Sequence, residues 1–256
     1  MKNIFHISKL TKQIIVGILI IVCISFLFAY IYYDSKNKAE DPRIVQTKYM
    51  FKQYDELMKV NKFSSALPLL DSIETILVKT PGYRESFELG IVYNDRGSAY
   101  LSMALYGIKD STEKFRLLEI AKTNIDSSIS IYNSWLGKNS DLSKEKLIET
   151  IKPFFSENDL AFKERNYNKI LQKRADDLIL AQKETYRRLS VCYTNLGIVQ
   201  RHLFKQNEAV ESYIKAIKLW KDNFTARNNF NVLMGKPPED RSIIDQLFPP
   251  EKNKFN

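Results

Sequence analysis

The chain has 256 residues, of which 44% are hydrophobic and 27% charged, so it can bury a core and is no disordered tail. Its glycines are scattered from Gly17 to Gly235, which excludes a glycine-rich phosphate cradle, and His6, His202, Cys23 and Cys192 show no metal-ligand spacing and no evident disulfide pair. Of the formal charge of +9, Lys2, Lys9 and Lys12 stand ahead of the first acid, Asp34; the other 36 bases face 30 acids without a dense patch among aromatics, so nucleic acid is not an expected partner.

The first predicted element is "QIIVGILIIVCISFLFAYIYY", residues 13–33, which carries no charge. About twenty apolar residues at 1.5 Å rise match a hydrocarbon core of roughly 30 Å, and Tyr30, Tyr32 and Tyr33 suit the headgroup level at one end. The run is too long for a signal peptide, and the bulky residues around Phe28–Ala29 make no small-x-small cleavage site. Val22 ahead of Cys23 does not fit lipoprotein processing. An uncleaved single-pass anchor in the inner membrane is therefore expected, with a cytoplasmic N-terminus at 1–12. The positive-inside count is nearly balanced, since Lys36, Lys38 and Arg43 follow the run. The absence of acids near Lys2, Lys9 and Lys12 tips the soluble part to the periplasmic or extracytoplasmic side.

"SKNKAEDPR" has no apolar period and predicts a linker ending at Arg43, within a boundary segment 34–43. From Ile44 onward apolar residues recur every three or four positions, and no stretch alternates with period two, so the fold class is all-α. "TKYMFKQYDELMKV" predicts one helix and "SSALPLLDSIETILVK" the next, with Ser64 as N-cap and Pro68 close to the first turn. "TPGY" stops that helix, and another runs from about Arg84 to Tyr106. "WLGKNSDLSKEKLIETIKPFFSENDLAFKERN" predicts one or two linking helices broken near Pro153. Helices at about Tyr186–Leu203 and Asn207–Lys221 follow, then a closing helix in "ARNNFNVLMG". The helical domain thus spans 44–235, and 236–256 is a tail in which Ile244, Leu247 and Phe248 are expected to cover the last helices.

Small residues recur among these helices at set offsets. "YNDRGSAY" (Tyr93–Tyr100) repeats the logic of "YTNLGIV" (Tyr193–Val199), an aromatic followed by a glycine four residues on. Ala209, Tyr213 and Ala216 then lie 12, 16 and 19 residues after Gly197, where a hairpin partner would meet the glycine. The segment 190–223, through Tyr193, Leu196, Gly197, Ala209, Tyr213 and Ala216, closely resembles the tetratricopeptide repeat (TPR), a helix-turn-helix of about 34 residues. Gln200 departs from the usual aromatic and Lys221 from the usual terminal proline. Residues 47–80 match loosely through Tyr54, Ala66 and Leu70. A middle repeat has Tyr93, Gly97 and Tyr100 but Ala121 twenty-four residues after the glycine, so a lengthened hairpin is expected around "YGIKDSTEKFR".

The resemblance implies an α-solenoid whose concave face, lined by the first helix of each pair, takes protein or peptide partners. Asn94, Thr194, Asn195, Arg201 and Asn228 would line that groove, where asparagines offer both donors and acceptors to an extended backbone. The lysines and arginine of a carboxylate clamp are too few here. Neither histidine has a partner motif, and Asp176–Asp177 and Glu239–Asp240 are sequence neighbours rather than an acid/base pair. No enzyme, metal or cofactor is expected. The function implied is a membrane-anchored scaffold for an envelope complex; the alternative is a chaperone-like factor assisting secretion or folding at the inner membrane.

Overall fold

The structure is a computed structural model that describes residues 9–163 and 165–240. Among these residues the chain is helical throughout its regular structure, with no strand. Helix α1 (Lys9–Lys38) contains the apolar run: Lys9–Tyr30 has a mean hydropathy of 2.6, none of it buried, and is long and apolar enough to cross a bilayer. It continues past the expected boundary. Residues 34–38 are the end of α1 rather than an irregular linker, and Ala39–Arg43 folds onto the body.

That docking has a clear physical origin. Asp41 accepts from the Arg43 backbone N–H at 3.0 Å and from its guanidinium at 2.7 Å, so the pair enters the body neutralised. The guanidinium donates onward to the Phe154 carbonyl at 2.9 Å and lies 4.4 Å from the Phe155 ring centroid and 4.9 Å from that of Phe162. Tyr83, fully buried, shares a hydrogen bond with Asp41.

Three helix hairpins follow. The first pairs α2 (Val45–Lys59) with α3 (Phe63–Lys79); the second α4 (Phe87–Ser102) with α5 (Ser111–Asn139); the third α7 (Tyr167–His202) with α8 (Gln206–Leu219). Between the second and third lie α6 (Lys144–Ile151) and two 3-10 turns, Lys152–Phe154 and Leu160–Phe162, and α9 (Phe224–Leu233) closes the described helices. Each hairpin packs on the next through α3 with α4, α5 with α7, and α8 with α9. One continuous apolar core runs from Tyr54 to Leu203.

The first and third hairpins turn in the same way. Asn61 and Phe204 are the middle residues of three-residue connections and take left-handed φ values of 58° and 61°. Lys62 N–H reaches Leu57 O at 2.9 Å, and Lys205 N–H reaches Gln200 O at 2.9 Å, each closing a helix end five residues back. Neither α3 nor α8 has a side-chain N-cap. Ser64 therefore does not cap α3, because that helix has already begun at Phe63; Pro68 falls in its second turn, leaving the Ser64 carbonyl without the usual i+4 donor.

In this register Tyr54 and Leu70 occupy the positions of Gly197 and Tyr213. The large residue has changed sides. A Cβ on Gly197 would lie 2.5 Å from the Tyr213 ring, so only glycine admits that aromatic. Tyr54 in turn sends its hydroxyl across to the Asp95 carbonyl at 2.7 Å.

The second hairpin is lengthened as expected. Helix α4 ends in a π-helical turn, Met103–Gly107, and α5 starts at Ser111 with Asp110 capping Glu113 N–H at 2.8 Å. Close approach is made twice along this pair: Gly90 faces Tyr132, and Gly97 faces Ile125 and the Ala121 carbonyl.

Helix α7 starts at Tyr167, nineteen residues before the expected Tyr186, because Asn166 caps Lys169 N–H at 3.0 Å and no breaker intervenes. Gln200, which departs from the repeat pattern, is buried and accepts from Ser212 Oγ at 2.7 Å. A polar pair replaces an aromatic there.

Candidate partner-binding face

The first helices of the three hairpins, α2, α4 and α7, bring polar residues to one face. Asn195 Nδ2 of α7 donates to Asn94 Oδ1 of α4 at 3.1 Å, and Asn94 Nδ2 lies 3.4 Å from Asp95 Oδ1. Asp55 of α2 is near enough to Asp95 for their charges to couple. The Asp95 carboxyl is pushed up to about 7, first by desolvation and then by Asp55; the Asn94 amide and the Arg188 guanidinium act against that rise. Near neutral pH the Asp95 carboxyl is therefore only partly ionised.

Arg188 lies beneath this face, buried, with its guanidinium 5.5 Å from the Phe87 ring centroid. Val191, one turn from Asn195 on the same side of α7, is 37% exposed and adds an apolar patch beside the amides. The face thus offers acid, amide and apolar groups along one helix crossing. That is the inventory needed to hold a peptide backbone and read a side chain beside it.

The five residues expected to line a groove are not brought together. Asn94 and Asn195 meet directly. Thr194 does not face outward: it is buried, donates to Ser190 O at 2.8 Å and accepts from Asn223 Nδ2 at 2.9 Å. It belongs to a network in which Asn223 caps α9 through Ala226 N–H at 3.0 Å and Ser190 Oγ bonds Ala216 O at 2.7 Å. Arg201 borders a different cleft of about 410 Å³, lined also by Lys114, Phe115, His202 and Phe204. Asn228 is already engaged by the chain itself, accepting from Glu239 N–H at 2.8 Å. Glu239 also pairs with Arg227 at 2.8 Å, so the tail begins by docking on α9. Ile244, Leu247 and Phe248 lie outside the described residues.

Comparison with protein-family models, with curated proteins and with solved structures found no match. The chemistry of the face therefore has to carry the functional reading alone.

Asp55, Asp95 and Arg188 are the functional candidates that sequence reading missed. Asp55 and Asp95 sit forty positions apart on helices whose common face depends on how the first two hairpins stack. The available signal was their register: Asp95 directly follows Asn94 on a helix already read as a groove wall. Among the described residues no group of three or more His, Cys, Asp or Glu side chains is placed to hold a metal. Cys192 is buried against Ser128 Oγ at 3.3 Å, and burial pushes its thiol up to about 12, so it is no nucleophile at neutral pH. An open cleft of about 470 Å³ between α2 and α3, lined by Gln53, Glu56, Leu57 and Lys62, does not include the carboxylate pair.

Proposed function

We propose that this chain is a membrane-anchored helical-repeat scaffold of the TPR type, which holds a protein or peptide partner on the α2–α4–α7 face. The observation that carries the reading is the Asn94–Asn195 bond beside the coupled Asp55–Asp95 pair, with Val191 exposed next to them. Polar side chains from successive first helices are half-buried and oriented before any partner arrives, which lowers the entropy lost on binding. The shared turn of the first and third hairpins and the glycine–aromatic approach of α7 to α8 support a repeat origin for the fold. On this reading the anchor stays uncleaved in the inner membrane and the body works on the extracytoplasmic side.

The partner expected is a segment with hydrogen-bonding groups, since the face presents the Asn94 and Asn195 amides beside Asp55 and Asp95. A chaperone-like accessory role would use the same face for many loosely held clients. Crosslinking in intact cells followed by purification of the full chain separates the two. Wild type should carry one partner in near-equal amount, and Val191→Lys/Asn195→Lys, with helicity retained, should lose at least about tenfold of it, a change of roughly 1.4 kcal/mol. Many sub-stoichiometric clients would favour the accessory role. Unchanged capture by the double variant would remove this face from the function altogether.

A further inference from the structure

The connection between α6 and α7 carries an apolar feature that the partner-binding reading does not use. Leu160 is 85% exposed, more than Phe26 in the apolar run of α1 at 71%, and Phe154 is 47% exposed. These side chains project from a fixed turn. Their neighbours Phe155 and Phe162 are buried and stack at 5.9 Å with an 11° interplanar angle. Asp159 caps Ala161 N–H at 2.9 Å, Tyr167 donates to the Phe155 carbonyl at 2.9 Å, and Gly82, with φ of 86°, lets Phe154 pack close. Two large apolar groups are thereby held outward.

This turn is fastened to the point where the anchor joins the body. Arg43, five residues after α1 ends, bonds the Phe154 carbonyl and lies on Phe155 and Phe162. From Tyr30, the end of the membrane-length segment, α1 continues for eight residues, a rise of about 12 Å. The headgroup layer is about 6 Å deep on each side of the hydrocarbon, so so short a tether keeps this end of the body at the bilayer surface. The opposite end lies far away: α4 alone, sixteen residues long, carries the chain about 24 Å from Phe87 toward Tyr106.

We propose that the 152–163 connection is a membrane foot, in which Phe154 and Leu160 insert at the bilayer interface beside the anchor. The occupant is the lipid interface itself, recognised by apolar insertion. Exposed Lys152 and Lys163 are offset by Glu157 and Asp159, so zwitterionic lipid serves as well as anionic. Two attachments in place of one hold the body in a single orientation, which keeps the α2–α4–α7 face at a fixed height above the membrane. The inference rests on α1 spanning the bilayer.

The test uses the full chain with Cys23→Ala in phosphatidylcholine vesicles, carrying a nitroxide on one new cysteine: Leu160→Cys, Tyr106→Cys or Leu19→Cys. Cys192 stays in place because it is fully buried and does not label. Helical circular dichroism matched to wild type qualifies each variant. The Leu160 nitroxide should collide preferentially with oxygen, as the Leu19 nitroxide does, and the one at Tyr106, 79% exposed, with an aqueous nickel chelate. If Leu160 matches Tyr106 while Leu19 reads as lipid, the anchor stands and the foot is wrong. If Leu19 itself reads as aqueous, the anchor and the foot fall together.

Discussion

At the scale of single residues, two positions decide how tightly and at what pH the body holds together. Gly197 meets the buried Tyr213 ring so closely that one added carbon would sit 2.5 Å from it. Gly197→Ala should cost about 1–3 kcal/mol through overpacking, whereas the exposed Glu211→Gln should stay within about 0.5 kcal/mol of wild type. Thermal melting of the two variants checks this, and equal midpoints would contradict the contact. Asp95 acts through its proton. Its folded pKa is about 7, raised from 3.8, so the folded state holds a proton that the unfolded state releases between these values. Stability therefore falls as pH rises from about 4 to 7, and the penalty is complete above that. Asp95→Asn should gain about 1–2 kcal/mol on wild type between pH 5 and pH 8, a figure discounted because Asp95 keeps some exposed surface. Melting curves at both pH values measure it; a constant difference would mean that the carboxyl titrates normally.

At the scale of helices, a buried ion pair links α4 of the second hairpin to α7 of the third, beside the packing of α5 on α7. Arg174 of α7 bonds Glu88 of α4 and lies 4.2 Å from the Tyr83 ring centroid, with only 5% of the arginine side chain exposed. Glu88→Ala would leave a buried cation uncompensated and should cost about 3 kcal/mol, while Glu88→Leu/Arg174→Met should recover most of that loss. Urea unfolding of the single and double variants reads the difference directly. If the single change costs less than the double, the pair is not what couples α4 to α7.

The helices themselves were legible because apolar spacing of three and four repeats along 44–235, and the lengthened second hairpin was legible because Ala121 lies too far from Gly97. What escaped was set by tertiary contact. Helix α7 starts at Tyr167 although the repeat spacing places its start at Tyr186; the Asn166 cap is a local signal, and the packing of α5 and α6 on α7 gives the added turns a core to join. Thr194 reads as a surface polar residue until Asn223, twenty-nine positions on, turns back to bond it. The docking of Asp41–Arg43 depends on three aromatics more than a hundred residues away and looks like linker in the sequence.

At the scale of the whole molecule, the chain divides into an apolar helix of membrane length and an all-helical body whose first helices share one polar face. On the proposed function, tethering by α1 would place partner binding on that face at the membrane surface, where a modest affinity gains from raised local concentration. The tail's first residues, through Glu239, dock on α9. The most direct test is site-specific photocrosslinking of the full-length protein in living cells, with the reactive amino acid placed at Val191 or Asn195 on that face and at Thr75 or Glu211 elsewhere. Adducts of defined mass should form from Val191 and Asn195 and be absent from Thr75 and Glu211. Equal adducts from all four positions, or adducts from Thr75 and Glu211 alone, would contradict the account.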